Sequence, residues 1–482
     1  MTPNLISSKQ QNILWAVPHR AGQLIHRLPV EIITEIFLFC LPVLSDSDRW
    51  TVTPSASQDQ APLLLCHVCS LWRRIALQTP ALWTSLIMEL SLGDSLVVLE
   101  RQSQVTPFWI AQAGGHLVDL WIVTSIDADD VDKKYSSNFM IQVVHPRAER
   151  IRSLRISSRD VYDICCLLQY QHDEDTLPHH VWSFPKLEYL TLDLEEYPDD
   201  DPVLTALHSL PKLHTVVLNN VIDFYKLNIH LPWAQLTSLT IDDIPESLFR
   251  VLMAQCPALA AGRFYFRDRD SDALELPIVD VTLTRLTTFK VYFVGRSDPA
   301  IFNGIRFPAL DNLALCLPCS PGNFVFIAPE HPFHQLGSIT TLSLGGYISF
   351  PDMINILRGA RNLTAFKVEF EDGHKEVLGV LTLSAGDEVL LPKLSVLRVW
   401  MCARHRRGTF AVVDFVKMVA SRSPSRAAAL GVAPLRDILV GVSNNDTLKA
   451  DLDAVLEEWG PNTDMPSIQY EQIRDGYQIF RD

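Results

Sequence analysis

Leu187-Glu188-Tyr189-Leu190-Thr191-Leu192 reads L-x-x-L-x-L. The same frame returns at Leu213/Val216/Leu218, Leu236/Leu239/Ile241, Leu286/Phe289/Val291, Leu310/Leu313/Leu315, Ile339/Leu342/Leu344, Leu363/Phe366/Val368 and Leu394/Leu397/Val399. Poorer copies sit at Leu117/Leu120/Ile122, Ile151/Leu154/Ile156 and Leu259/Gly262/Phe264. From Leu187 onward the first positions are spaced by 26, 23, 23, 27, 24, 29, 24 and 31 residues. A recurrence of twenty to twenty-nine residues is the period of leucine-rich repeats, each a strand followed by a short helical segment. Alternation within the frame predicts strands with the aliphatic positions facing a core. A single copy buries too little to offset its own backbone entropy, so the copies must stack.

Several copies follow a Pro-x-Leu lead-in, as at Pro185-Lys186-Leu187, Pro211-Lys212-Leu213, Pro308-Ala309-Leu310 and Pro392-Lys393-Leu394. Short helices are expected at Val203–Leu210, Glu246–Cys256 and Asp352–Arg358 between strands, and at Phe410–Ala420, with a last strand at Leu435–Val442. Leu448, Leu452, Val455, Leu456 and Trp459 fall on one face of a further helix, expected to close the array as a C-terminal cap over 446–482.

A different pattern precedes the array. Leu28-Pro29-Val30-Glu31-Ile32-Ile33-Thr34-Glu35-Ile36-Phe37-Leu38-Phe39 is a helical run with Pro29 at its start and Glu31 near the positive end of its dipole. The polar stretch Pro42–Gln60 interrupts it, and a second apolar helix is expected over Leu63–Leu77, ending before Pro80. The first helix is apolar around most of its circumference, which requires cover on more than one side. About sixty residues cannot provide that alone. The organisation expected is an N-terminal extension (1–25), a small all-α domain (26–88, with the insert 42–60), an α/β repeat solenoid (89–445) and the cap (446–482).

Among 482 residues, 48% are hydrophobic and 20% charged, a foldable composition. A formal charge of −15 argues against nucleic acid or anionic membrane as general partners. No run of eighteen apolar residues occurs, so no membrane span is expected. Nine cysteines without a secretory leader point to a reducing compartment, cytoplasmic and/or nuclear, with free thiols.

No phosphate loop, nucleophile elbow or H-E-x-x-H frame is present, and no catalytic constellation is expected. Cys66/Cys69 and Cys316/Cys319 have C-x-x-C spacing, but neither pair has two further ligands nearby, so neither metal nor cofactor is expected. Cys165-Cys166 reads as packing. The acidic groups Asp127–Asp132, Asp199–Asp201 and Asp268–Asp272, together with His179-His180 and Arg404–Arg407, read as solvated loops.

Function therefore falls to surfaces. Alternate positions of the repeat strands would form a concave face that binds a protein, with Tyr189, Asp193, Asp242, Lys290, Tyr292, Lys367, Arg398 and Trp400 as its candidate contacts.

Residues 28–83 resemble the F-box, in the divergent form common in basidiomycete fungi. The carriers are Leu28-Pro29-x-Glu31-Ile32-Ile33 with Ile36-Phe37, then Val68-Cys69-x-x-Trp72-Arg73-x-Ile75-Ala76, then Pro80-x-Leu82-Trp83. The repeats resemble the leucine-rich arrays often attached to F-boxes. The resemblance implies a non-catalytic substrate receptor of an SCF-type ubiquitin ligase. Leu28, Pro29, Glu31, Ile32, Ile36, Phe37, Leu64, Val68 and Trp72 would dock a Skp-family adaptor and, through it, a cullin, while the array holds an unidentified protein substrate. The competing expectation is a leucine-rich-repeat scaffold outside any ligase. It would bury Ile32, Ile36 and Trp72 against residues 85–125.

Overall fold

The structure is a computed structural model. It describes residues 27–41, 57–91, 96–125, 143–160, 183–196, 210–219, 231–242, 244, 246–266, 280–293, 299–317, 336–346, 348–370, 374–384, 389–401, 411–442, 447–459 and 464–472. The expectations for 1–25, most of the 42–60 insert, the Val203–Leu210 helix (Leu210 apart), Cys165-Cys166, Cys319, His179-His180, Arg404–Arg407 and the three acidic clusters lie outside these residues. The chain divides into two compact units, Met1–Leu154 and Arg155–Asp482, rather than at the 88/89 boundary expected from sequence.

The first unit opens with helices α1 (Val30–Phe39), α2 (Leu63–Val68) and α3 (Ser70–Leu77), and a 3-10 turn at Pro80–Trp83. Strand β1 (Ser85–Ser91), helix α4 (Leu96–Gln112) and strand β2 (Val118–Ser125) follow. Pro29 stands just before α1 in extended geometry (φ −54°, ψ 147°), so it caps the helix instead of occupying its first turn. The single helix expected over Leu63–Leu77 is two. Cys69 is extended (φ −160°, ψ 171°), and its Sγ accepts the Trp72 N–H at 3.5 Å, starting a new helix. Arg73 Nε donates to the Cys66 carbonyl at 2.8 Å, satisfying an acceptor freed by the break.

Trp83 is the hub of this unit. It is fully buried, donates its indole N–H to the Ala76 carbonyl at 2.9 Å and meets Trp109 edge-on at 4.9 Å. Trp109 in turn donates to the Ser85 carbonyl at 3.1 Å. Both indole donors are thus paired, which lets two large rings be buried at no polar cost. Strand pairing begins here, with Ser85 opposite Asp119 in parallel register.

β3 (Ile151–Asp160) carries the boundary between the units. The second unit continues with β4 (Tyr189–Glu196), β5 (Thr215–Asn219), β6 (Ser238–Ile241), α5 (Glu246–Gln255), β7 (Ala261–Phe266), β8 (Val281–Thr282), β9 (Thr288–Phe293), β10 (Ile305–Arg306), β11 (Asn312–Cys316) and β12 (Thr341–Gly345). It closes with α6 (Phe350–Gly359), β13 (Ala365–Phe370), α7 (His374–Leu381), β14 (Val396–Met401), α8 (Val412–Ser421), α9 (Pro424–Leu430), β15 (Asp437–Val442), α10 (Thr447–Trp459) and β16 (Ile468–Gln472). Among the described residues of the second unit, β4–β7, β9 and β11–β16 share one sheet in chain order, while β8 and β10 pair separately. All the adjacent pairs from β4 to β16 run parallel.

Every L-x-x-L-x-L frame named above forms one of these strands with its approach. From Leu187 to Val399 the aliphatic and aromatic frame positions are all essentially buried. The lead-in has a physical explanation. The amide of each first frame residue donates to the carbonyl three residues back, as in Leu187→Phe184 (3.2 Å), Leu213→Leu210 (3.2 Å), Leu259→Cys256 (3.2 Å) and Leu394→Leu391 (3.3 Å). This is a β-turn, and Pro185, Pro211, Pro257 and Pro392 take the second place, where a fixed φ is favoured.

Gly262 is the exception to the frame. A Cβ there would lie 2.7 Å from the Phe264 ring, so the missing side chain makes room for Phe264 in a cluster of Phe249, Phe289 and Phe302.

The helices expected at Glu246–Cys256, Asp352–Arg358 and Phe410–Ala420 are α5, α6 and α8. The C-terminal expectation needs correction. β16 pairs parallel to β15, Ile438 opposite Ile468, so strand pairing continues through the segment expected to be only a cap. Its short, half-exposed run Ile468-Gln469-Tyr470 carries too few aliphatics to match the frame.

A buried cation organises this end. Arg422 is fully buried, and its guanidinium donates to the carbonyls of Leu381 (2.9 Å), Leu391 (3.1 Å) and Leu390 (2.6 Å). Leu381 ends α7, where carbonyls lack helical partners and the dipole favours positive charge. Burial lowers the Arg422 pKa to about 10, which leaves it protonated at neutral pH.

Candidate functional surfaces

On α1, residues four apart split into two stripes. Ile33 and Phe37 face inward, and the Phe37 ring lies 4.9 Å from that of Trp72. Leu28, Ile32, Ile36 and Phe39 face out, Ile32 at 48% and Phe39 at 86% exposure. Leu64 and Val68, also four apart on α2, are exposed as well, Val68 at 55%. Pro29 and Glu31 are exposed beside them.

Seven of the nine residues expected to dock an adaptor are therefore at the surface. Phe37 is a correction: at 0% exposure it is core, because the helix must spend one stripe on its own domain. Trp72 is half-buried, with one side given to Phe37. The burial of Ile32 and Ile36 that a purely capping role requires is not seen. Val30 and Phe39, both exposed, extend the apolar face beyond the residues singled out from sequence. Their place in the periodicity was visible, but not which stripe the domain keeps for itself.

The second surface is the sheet face of the second unit that carries the alternate positions. All eight candidate residues belong to it, but their exposure differs. Tyr189 is exposed, while Asp193, Lys290, Lys367 and Arg398 are half-buried. Asp242, Tyr292 and Trp400 are corrections as exposed contacts, at 6%, 6% and 5% exposure. Tyr292 and Trp400 belong to an apolar cluster with Ala314 and Cys316, against which Tyr265 and Leu439 pack. Large rings beside small residues fold down over them instead of projecting. Burial lifts the Tyr292 pKa well above its ordinary value.

Strand register sorts this face into rows. One row runs Thr191, Val217, Thr240, Arg263, Lys290, Ala314, Ser343, Lys367, Arg398, Leu439, Gln469. Its neighbour places Tyr265 against Tyr292 (rings stacked at 4.1 Å) and Glu369 against Trp400. Arg263 was missed from sequence because its frame is broken at Gly262. Its guanidinium lies 5.8 Å from the centre of the Tyr292 ring.

No three His, Cys, Asp or Glu side chains among them converge as metal ligands. Cys66 and Cys256 are buried, with thiol pKa values raised by that burial, to about 12 for Cys256. No helix among the described residues is long and apolar enough to cross a membrane. No protein-family model matches the chain, and no curated protein matches it.

Proposed function

We propose that the chain is a non-catalytic substrate receptor of an SCF-type ubiquitin ligase. In this reading, α1–α3 are an F-box that docks a Skp-family adaptor, and the parallel strands are a leucine-rich-repeat solenoid that holds a protein substrate. One observation carries it: the outer stripe of α1, Ile32-Ile36-Phe39, with Leu28 just ahead of the helix, is left exposed while the Phe37 stripe closes the domain. Contiguous apolar surface of this kind favours a partner. The receptor's contribution to ubiquitin transfer is proximity, holding a substrate near a charged carrier enzyme.

The test is co-expression of the full chain with a Skp-family adaptor, followed by size-exclusion chromatography. Co-elution is expected, and Ile32→Glu with Ile36→Glu should abolish it without changing the melting temperature. Separate elution of the wild-type chain at every salt concentration would overturn the proposal.

A further inference from the structure

We infer that the alternate-position face of the sheet takes an acidic segment of a protein, laid across the strands. This rests on the reading of the strand array as the part that holds substrate, and it specifies the chemistry of that substrate.

The register is the first ground. Arg263 and Lys290 are opposite one another on β7 and β9, and Lys367 and Arg398 are opposite one another on β13 and β14. Ala314 and Ser343, both small and buried, occupy the two strands between. Two cation pairs thus flank a low floor. The row holds four cations and no carboxylate in eleven positions, in a chain with 41 basic and 56 acidic residues. A positive row within a net negative chain attracts acidic groups locally and repels them elsewhere.

The second ground is Trp400. Its indole nitrogen is buried and has no hydrogen-bond partner. A buried donor left unmade is costly, and an incoming acceptor would relieve that cost.

The spacing sets the ligand's pattern. Lys290 and Lys367 are three strand steps apart, about 14 Å at roughly 4.8 Å per step. An extended peptide covers that in about four residues at roughly 3.3 Å each. Two acidic groups, carboxylate or phosphate, about four residues apart meet both pairs. Nucleic acid is the poorer fit, because Tyr265 and Tyr292 stack on each other and offer no platform for bases.

The probe is a fluorescent peptide with two Glu-Glu pairs separated by three Gly/Ser residues, titrated with the full chain by anisotropy. Its phosphoserine and Gln counterparts and a single-stranded DNA 12-mer are run in parallel. At least tenfold tighter binding of the Glu or phosphoserine peptide than of the Gln peptide is expected, and whichever binds better identifies the anion. Lys367→Glu with Arg398→Glu, and separately the milder Lys290→Gln, should weaken it, the double change by tenfold or more. Lys186→Glu, in an exposed lead-in turn, should not.

Equal binding of the Gln peptide, an equal loss in Lys186→Glu, or tighter binding of DNA overturns the inference. Melting curves verify that the variants are folded. Adaptor co-elution of the wild-type chain is measured separately: acidic-peptide binding without adaptor binding would defeat the receptor reading and leave this one standing.

Discussion

Phe37 and Trp72 meet with ring centroids 4.9 Å apart and planes inclined by 58°. Through this contact the apolar first helix gives one stripe to its domain and keeps the other outside. Phe37→Ala should cost about 3–5 kcal/mol, as expected for removing a fully buried ring. Ile32→Ala on the outer stripe should change stability by no more than about 0.5 kcal/mol. Urea unfolding of the two variants gives the comparison, and equal losses would refute the two-stripe description.

Restoring the repeat frame at Gly262 should harm the protein. Gly262→Leu matches the other frames but drives a side chain into the Phe264 ring, 2.7 Å from where its Cβ would lie. Overpacking of this kind costs about 1–3 kcal/mol. Adding Phe264→Leu should recover part of the loss, giving a non-additive double-mutant cycle in thermal unfolding.

Arg422→Met should destabilise the C-terminal strands by about 3 kcal/mol or more, since three buried carbonyls lose a charged donor. Arg422→Lys should recover only part, because an ammonium lacks the planar fork that spans Leu381, Leu390 and Leu391. Hydrogen exchange across β14 and β15 would locate the effect.

Alkaline pH should weaken the fold through Cys256. Its thiol, ordinarily near 9.0, is pushed up to about 12 by burial. Between those values the folded state keeps a proton that the unfolded state releases, so stability falls as pH rises, by up to about 1.4 kcal/mol per unit. Tyr292, also raised, adds to the fall above its ordinary value of 10.0. Cys256→Ala should flatten the stability profile between pH 9 and 11. In the native state at neutral pH, peptide mapping after brief iodoacetamide treatment should find exposed Cys40 modified and Cys66, Cys256 and Cys316 protected.

The strands were legible because their signal is local and repeated. A leucine at Leu187, Leu190 and Leu192 reports its own burial, and eight further copies at steady spacing exclude accident. Where the repeat departs from aliphatics, legibility ends: Gly262 broke its frame for the sake of Phe264, which hid Arg263, and β16 has no frame at all. The helical domain shows a different limit. Periodicity revealed that α1 is apolar nearly all round, but which stripe turns inward depends on Trp72, far along the chain. Likewise Tyr292 and Trp400 stand at outward positions by alternation. Their burial involves small residues on adjoining strands, Cys316 opposite Tyr292 and Gly441 opposite Trp400, a relation between strands that no single frame contains.

The strands of the second unit lie in the sheet in the order in which the chain makes them, the short β8–β10 pair aside. Each strand takes its partner from the adjoining stretch of chain, so a whole strand with its connection could be gained or lost between β9 and β13 while every other pairing kept its neighbours. Such an event would move Lys367 and Arg398 relative to Arg263 and Lys290 by one step of about 4.8 Å, or between one and two residues of an extended ligand. Copy number then acts as a ruler: duplication or deletion of a repeat re-spaces the charges without remaking either pair.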